Sequence, residues 1–419
     1  MNHPIVHLIG VECSGEFSAQ GLELIRNCRT LVLSGRHRSM LSAILDDLKA
    51  VRLIPIAPVQ DALQQAAHFL TEGDVVILAT GDPLFFGIGR TLLQFFGPDR
   101  IAIYPALSSM QLAFSRFKIP WDDAKFLSLH GREPHNLAAA ILIHDKVFLF
   151  TDRTSSPDRI AKSLLNGCGS GINSEYIIHV AENLGMDNER LYTGSLSEIA
   201  EQSFSPLNVM ILLRTKASSS SIAPCFGLTE EEITHSRGLI TKNEVRAASL
   251  HAMRLPQQGV LWDVGAGSGS VGLEAARLFP ELQVMAVERE EEQVKNIQKN
   301  REKFQAWNLK LFHGSALEVL KDLPAPDRVF IGGSGGQLRD IINQAAERLR
   351  PGGTIVVNAV LAKTAQEAPA YLHAQGLEVT LSEIKVTRRS YPELDSQTMH
   401  PITIIVGRKK NTKQEKTDE

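Results

Sequence analysis

Cysteine is scarce in this chain. The 419 residues hold four, Cys13, Cys28, Cys168 and Cys225, and no two of them form a C-x-x-C pair. That excludes a disulfide framework and a thiolate metal site, so the chain reads as a reduced, cytoplasmic protein with no metal. Long hydrophobic runs are missing as well. None reaches the ~18 residues of a membrane-crossing helix, and no membrane partner is expected. The opening MNHPIVHLIGVE lacks a basic stretch and enters a strand-like run at once, which argues against a signal peptide. Neither sign of charge predominates: 44 Lys and Arg face 47 Asp and Glu, a net charge of -3. A nucleic-acid partner held by a basic surface is therefore not expected. No repeat of fixed period is visible.

What remains is an ordinary globular composition, 43% hydrophobic and 22% charged, in a chain too long for one core. Residues 214–227, RTKASSSSIAPCFG, carry four consecutive serines and a proline between two apolar patterns. They read as a linker. The expected organisation is a first domain over 1–216, a linker over 217–226, a second domain over 227–407 and a polar tail, RKKNTKQEKTDE, over 408–419. Both halves read as α/β. Val-, Ile- and Leu-rich runs alternate with helical patterns, as in a buried, mostly parallel sheet. In the first half they are IVHLIGV, TLVLSG, RLIPI, DVVILAT, RIAIYPA, KVFLFTD, EYIIHVAE and NVMILLR. In the second they are VLWDVG, QVMAVE, KLFHG, DRVFIGG and GTIVVNAV.

The most informative stretch is LWDVGAGSGSVGLEAARL at 261–278. A glycine-rich loop between a strand and a helix cradles a nucleotide, and two registers compete. Gly265, Gly267 and Gly269 fit G-x-G-x-G, the loop of S-adenosylmethionine (SAM) methyltransferases. Gly267, Gly269 and Gly272 fit the dinucleotide fingerprint of an NAD-dependent oxidoreductase. The strand ends at Val264, so Gly265 stands where the first glycine of a tight turn belongs, and the SAM register fits better. In it the N–H groups of Ala266 to Ser268 approach the ligand. A glycine turn without any ligand is the bland alternative. Glu288, at the end of QVMAVE, offers a carboxylate to ribose hydroxyls under either register. Its other reading is an acid at a helix start, a role that Glu290, Glu291 and Glu292 fill better. No N-P-P-Y stands at a strand tip, which speaks against methylation of an amino group on a base.

Longer stretches carry a resemblance. TKNEVRAASLHAMRL, LWDVGAGSGSVGLEAARL, VERE, DRVFIGGSGG and RLRPGGTIVVNAV together resemble the precorrin and cobalt-precorrin C(15)-methyltransferases that also decarboxylate their substrate. ATGDPLFFGIG, YPALSSMQLAFSRFKIPWDDAKFLSLHGR, AENLG and SPLNVMILL resemble the tetrapyrrole (corrin/porphyrin) methylases, and among them the C(5)-methylating members. The resemblance spans residues 5–406. It implies a two-lobed tetrapyrrole methylase fold followed by a Rossmann-like class I methyltransferase fold. It also implies SAM as cofactor, a tetrapyrrole substrate, a place in cobalamin biosynthesis and a homo-oligomer. Carried over residue by residue, the C-terminal SAM contacts fall on Thr241, Gly265, Ala266, Gly267, Ser268, Gly269 and Glu288, and on Gly314, Ser315 and Ala316. The N-terminal contacts fall on Gly81, Asp82 and Pro83 and on Ser108 and Ser109. Two departures stand out. Ser315 occupies a place where many relatives have Asp, and IGVECSGEF replaces G-x-G-P-G, with Cys13 and Ser14 in the loop.

The acceptor implied is a partly reduced macrocycle whose meso carbons are electron-rich, so catalysis can rest largely on positioning and electrostatics. Loss of CO2 from the ring-C acetate needs an electron sink, which the conjugated ring supplies. A substrate with many carboxylates calls for Arg and Lys. The candidates are Arg132, Arg237, Lys242, Arg388 and Arg389, each of which also reads as a solvated surface charge. Arg246, His130 and His313 are the candidate catalytic residues. Three classes stay open: a bifunctional ring methyltransferase, an NAD-dependent oxidoreductase using GSGSVG, and a non-catalytic module that binds SAM or a tetrapyrrole.

Overall fold

The computed structural model describes residues 3–42, 50–129, 137–168, 170–215 and 226–411. The chain forms two compact units. One comprises residues 1–133, 144–166 and 170–217, the other residues 134–143, 167–169 and 218–419. The linker at 217–225, most of the polar tail, and the candidates His130 and Arg132 lie outside the described residues.

The first unit begins with β1 (Val6–Val11), β2 (Thr30–Leu33), β3 (Arg52–Pro55), β4 (Val75–Thr80) and β5 (Ile101–Tyr104). They form a wholly parallel sheet in the order β3-β2-β4-β1-β5. Every residue of β1 is buried because helices cover both faces. Val6, Leu8, Val32 and Ile77 pack on one side, and Ile9, Val11, Leu31 and Leu78 on the other. A second sheet contains β6 (Lys125–Ser128), β7 (Lys146–Phe150), β8 (Tyr176–Glu182), β9 (Arg190–Gly194) and β10 (Asn208–Arg214), in the order β6-β7-β10-β8-β9. Only β6 and β7 pair in parallel there; the other neighbours are antiparallel. The expectation of a mostly parallel sheet fails in this lobe, because a buried apolar run reads the same in either direction. Phe114 and Phe148 anchor its core, with Phe85, Phe126 and Phe150 against them.

The second unit is built on β11 (Gly259–Val264), β12 (Leu282–Glu288), β13 (Leu309–His313), β14 (Arg328–Ile331), β15 (Thr354–Ala359), β16 (Glu378–Ile384), the hairpin β17 (Thr387–Arg389) and β18 (Ser396–Thr398), and β19 (Ile402–Arg408). The main sheet runs β13-β12-β11-β14-β15-β19-β16. Its first five strands are parallel, and β19 and β16 join antiparallel. Two hydrophobic clusters cover its two faces. Successive strands leave β11 in opposite directions, to β12 on one side and β14 on the other. Such a switch point opens a crevice beyond the carboxyl ends of the strands. The polar run also starts later than its composition suggests. Arg408 is the last residue of β19, and Lys409 Nζ donates to the carbonyls of Ala346 (3.0 Å) and Leu349 (2.8 Å) at the end of the helix Leu338–Arg348.

Candidate functional site

In the second unit β11 ends at Val264 and Gly265 follows at once. Gly265, Gly267 and Gly269 all take positive φ, at 64°, 57° and 75°. A β-carbon on Gly265 would overlap the carbonyl oxygen of Gly333, whereas one on Gly267 would meet nothing within 4 Å. Protein packing therefore demands the first glycine, and the second leaves open space. Gly269 then opens the helix Ser270–Leu278 with no side-chain cap. Gly272, within that helix, is also required by packing, since a β-carbon there would lie 2.6 Å from Asp263 Oδ2.

Strand β12 already holds much of this loop. The N–H groups of Gly265 and Ala266 donate to the Val287 carbonyl at 3.0 and 3.1 Å, and that of Gly267 donates to Glu288 Oε2 at 2.7 Å. Two of the N–H groups expected to face a ligand are thus committed, because the pairing of β11 with β12 runs on into the loop. Glu288 is buried, and its Oε1 accepts from the N–H groups of Arg289 (2.8 Å) and Glu290 (3.0 Å). Three of the roughly four lone-pair positions of its carboxylate are filled. One remains for a ligand hydroxyl, where two had been expected.

Behind the loop lies Asp263, wholly buried. Its Oδ2 accepts from Gly272 N–H at 2.9 Å, and its Oδ1 has no hydrogen-bond partner. Burial pushes this carboxyl up to about 7, against the Gly272 N–H and helped by the Glu288 charge. The Ser268 hydroxyl is likewise buried and unpartnered.

A crevice of about 180 Å³ collects Gly265, Glu288, Gly314, Ser315 and Ala316. Thr241, Gly267, Ser268 and Gly269 are outside its immediate lining. Arg289 and the Gly333–Ser334–Gly335 loop complete the wall; VERE and DRVFIGGSGG marked them as motifs of the resemblance but not as site residues. The loop's signal was its glycines directly after the strand beside β11. A β-carbon on Gly335 would lie 2.6 Å from Arg289 Nη1, so that glycine lets the guanidinium pack against the loop.

The basic candidates of this unit are mostly paired already. Arg237 meets Glu292 (2.5 Å), Lys242 meets Glu230 (2.5 Å), and Arg388 meets both Glu230 and Glu244 at 2.7 Å. Those two carboxylates hold the Arg388 guanidinium well above its usual range. Arg389 is exposed on the β17–β18 hairpin. Arg246 is placed differently from these surface cations. It is fully buried, donating to the carbonyls of Thr241 (2.9 Å) and Leu228, with Glu274 at 3.4 Å. Glu274 in turn accepts from Leu228 N–H at 2.7 Å. This pair ties the start of the unit to its helices. His313, at the end of β13, has Nε2 3.1 Å from the Arg289 carbonyl.

The first unit repeats the glycine device on a different sheet. A β-carbon on Gly10 would overlap the Gly81 carbonyl oxygen, and one on Gly81 (φ 67°) would lie 2.9 Å from Ser108 Cα. Asp82 Oδ1 accepts from Leu84 N–H at 2.8 Å, and the Pro83 carbonyl accepts from Gly89 N–H at 2.9 Å, so both shape the loop after β4. Ser108 caps the helix Ser109–Phe117 in a reciprocal capping box with Gln111. Its hydroxyl is therefore engaged, and its neighbour Ser109 faces a cavity of about 730 Å³. Thr80, Cys13 and Arg36 line the same space. Cys13, from the departing loop, is buried, which pushes its thiol up despite the nearby Arg36. Ser14 lies so close to Gly185 of AENLG that a β-carbon there would stand 2.9 Å from the Ser14 nitrogen.

Comparison with known proteins follows this division. Residues 7–200 match the family of tetrapyrrole (corrin/porphyrin) methylases, and residues 232–403 match the precorrin methyltransferase domain. A precorrin-6Y C(5,15)-methyltransferase (decarboxylating) of Sinorhizobium sp is 34% identical over 314 residues, covering 75% of this chain and 74% of that protein. One of the same description from Mycobacterium tuberculosis is 31% identical over 352 residues, covering 83% of this chain and 84% of its own. Among solved structures, the precorrin-6Y C5,15-methyltransferase of Geobacter metallireducens is 40% identical over 44% of this chain and 98% of that one, with a TM-score of 0.43.

Proposed function

Because this chain belongs to the family of decarboxylating precorrin-6Y C(5,15)-methyltransferases, we propose that it methylates a corrin precursor at carbons 5 and 15 and releases the ring-C acetate carboxyl as CO2. The substrate is precorrin-6Y, its reduced form precorrin-6B, or the cobalt counterpart, in cobalamin biosynthesis. We assign carbon 5 to residues 1–216, and carbon 15 with decarboxylation to residues 227–407. The observation that carries this reading is the presence of two glycine-edged sites in one chain, each beyond the carboxyl ends of a parallel sheet. A cytoplasmic homo-oligomer without nucleic acid belongs to the same proposal. Among the described residues no helix is long and apolar enough to cross a membrane.

The residues of the second unit fit SAM: open space at Gly267, an acceptor position left on Glu288, and the orphaned Ser268 hydroxyl. Gly265 to Gly269, Glu288 and Gly314 to Ala316 would hold it there. Thr80 to Pro83 with Ser109 would hold it in the first unit. When bound, SAM supplies an electrophilic methyl group on a sulfonium. The chain's own task is positioning. Glu288 orients the ribose, the Gly333–Gly335 loop limits access of water, and basic side chains grip the carboxylates of the macrocycle. No side chain need carry the electrons released with CO2, because the ring is conjugated to that acetate.

The experiment is incubation of the full chain with SAM and each tetrapyrrole, followed by mass spectrometry. Two added methyl groups and one lost CO2 are expected. Stabilisation by NADH but not by SAM would overturn the reading in favour of an oxidoreductase, and SAM binding without turnover would favour a sensing module.

A further inference from the structure

Arg36 has no ion-paired carboxylate among the described residues, although Asp152 lines the same cavity. Arg36 lies in the helix Gly35–Met40, which starts two residues after β2 ends, at the ligand end of a parallel strand. It lines the 730 Å³ cavity beside Thr80 and Ser109. Its Nη2 donates to the Cys13 carbonyl at 3.3 Å, and its Nε is buried with no hydrogen-bond partner. Among the described residues no Asp or Glu forms an ion pair with it, whereas Arg237, Lys242, Arg246 and Arg388 all have one. Arg153, which follows β7, reaches the same cavity and is also unpaired among the described residues.

The neighbouring side chain fixes this arrangement. His37 is buried with Nε2 3.1 Å from Thr80 Oγ1, which pins the helix to the end of β4. Burial, and then the Arg36 charge, push His37 down to about 4, so it stays neutral at ordinary pH. Arg36 is therefore the charge that this short helix brings to the cavity wall. A guanidinium that loses water when the cavity fills must be met by an acceptor, and a carboxylate suits its planar fork best.

We propose that Arg36 is the carboxylate anchor of the N-terminal site, gripping either a side-chain carboxylate of the tetrapyrrole or the amino-acid carboxylate of SAM. The inference rests on reading the first unit as the carbon-5 site. It makes Arg36 a binding and specificity residue, with Arg153 able to take a second carboxylate from the other sheet.

The test compares the full chain with its Arg36→Ala and Arg36→Lys forms. In Arg36→Ala the KM of the carbon-5 step should rise about ten- to a hundredfold, as expected for loss of charge-assisted hydrogen bonds, with kcat changed far less. Arg36→Lys should recover part of the loss, since it restores the charge but not the fork. Methylation at carbon 15 and CO2 release should continue in both, which reports that the chain is folded. Calorimetric titrations with SAM alone and with the tetrapyrrole alone need no turnover and identify the source. Weakened tetrapyrrole binding assigns the carboxylate to the substrate, and loss of one SAM site assigns it to the cofactor. Unchanged affinity for both in Arg36→Ala overturns the inference, as does an Arg36→Lys form no better than Arg36→Ala. If the unaltered chain adds no methyl at carbon 5, the assignment of the first unit fails instead, and the titrations still decide the role of Arg36.

Discussion

The sites of the two units share one steric solution and differ in electrostatics. In each, a glycine near the end of a central parallel strand lies so close to the carbonyl of a loop after a neighbouring strand that no side chain fits: Gly10 against Gly81, and Gly265 against Gly333. The surroundings then diverge. The first cavity presents Arg36 and Arg153 together with the carboxylate of Asp152, and a buried neutral histidine stands next to Arg36. The second crevice is backed by the acids Asp263 and Glu288. Close backbone packing makes room in both, and the charges beside that room differ.

The comparison breaks most sharply at the two glycines. Gly265→Ala places a β-carbon on the Gly333 carbonyl and disfavours the loop's φ as well. Overpacking of about 1–3 kcal/mol at a site built on this contact should cut carbon-15 methylation and CO2 release by up to roughly a hundredfold. Carbon-5 methylation should survive. Gly10→Ala should do the reverse, as read from methyl counts by mass spectrometry. If Gly10→Ala also silenced carbon 15, the two sites would not be separate.

Glu288→Ala should act more mildly. It removes the acceptor for Gly267 N–H together with the position open to a ribose hydroxyl. A bond to a charged group contributes about 1.5–3 kcal/mol, so SAM affinity at the second site should fall at least about tenfold. Calorimetry should find one SAM site weakened and the other intact. Two normal sites in this variant would remove Glu288 from the cofactor's neighbours.

The smallest expected effects separate the units by pH. Asp263 sits at about 7 in the folded chain, above its ordinary 3.8, so its contribution to stability is present at acid pH and lost as pH rises through 7. His37 sits at about 4, below its ordinary 6.5, so its contribution is present above 6.5 and lost as pH falls toward 4. Between pH 8 and pH 5, Asp263→Asn and His37→Gln should therefore change the pH dependence of unfolding in opposite directions, each by about 1–3 kcal/mol. Chemical denaturation of the full chain at both pH values measures this. Parallel responses would mean that these two groups do not dominate their units.

Apolar runs marked β1 to β5, β7, β8 and β10 to β15 in the sequence, whereas β6, β9 and β16 to β19 were missed. IVHLIGV and VLWDV announce themselves because both faces are buried, and glycines mark where the second one stops. Strands β9 and β16 were missed because most of their residues are exposed, so no apolar run marks them, whereas ITIIVGR of β19 is an apolar, mostly buried run that was passed over. At the second site the glycine register and Glu288 were read from their places at strand ends, and Gly314 to Ala316 from the family resemblance; Gly265, Glu288 and Gly314 to Ala316 line one crevice. The internal hydrogen bonds that occupy Glu288 were not legible, since they depend on how β12 meets the loop. Arg36 carried no signal beyond being a charge just past a strand, and its importance appears only when the partners of the other arginines are known.

Strand β16 has one further consequence, which concerns synthesis. It is made before β19, yet β19 is its partner in the main sheet and lies between it and β15. Until β19 is available, β16 has no strand to pair with, and the antiparallel side of β15 is an open edge. The nascent chain passes through an interval with two unsatisfied strands, and β19 closes both at once. Glu378, Ser382 and Glu383 give the waiting strand a polar character that discourages pairing with a neighbouring nascent chain.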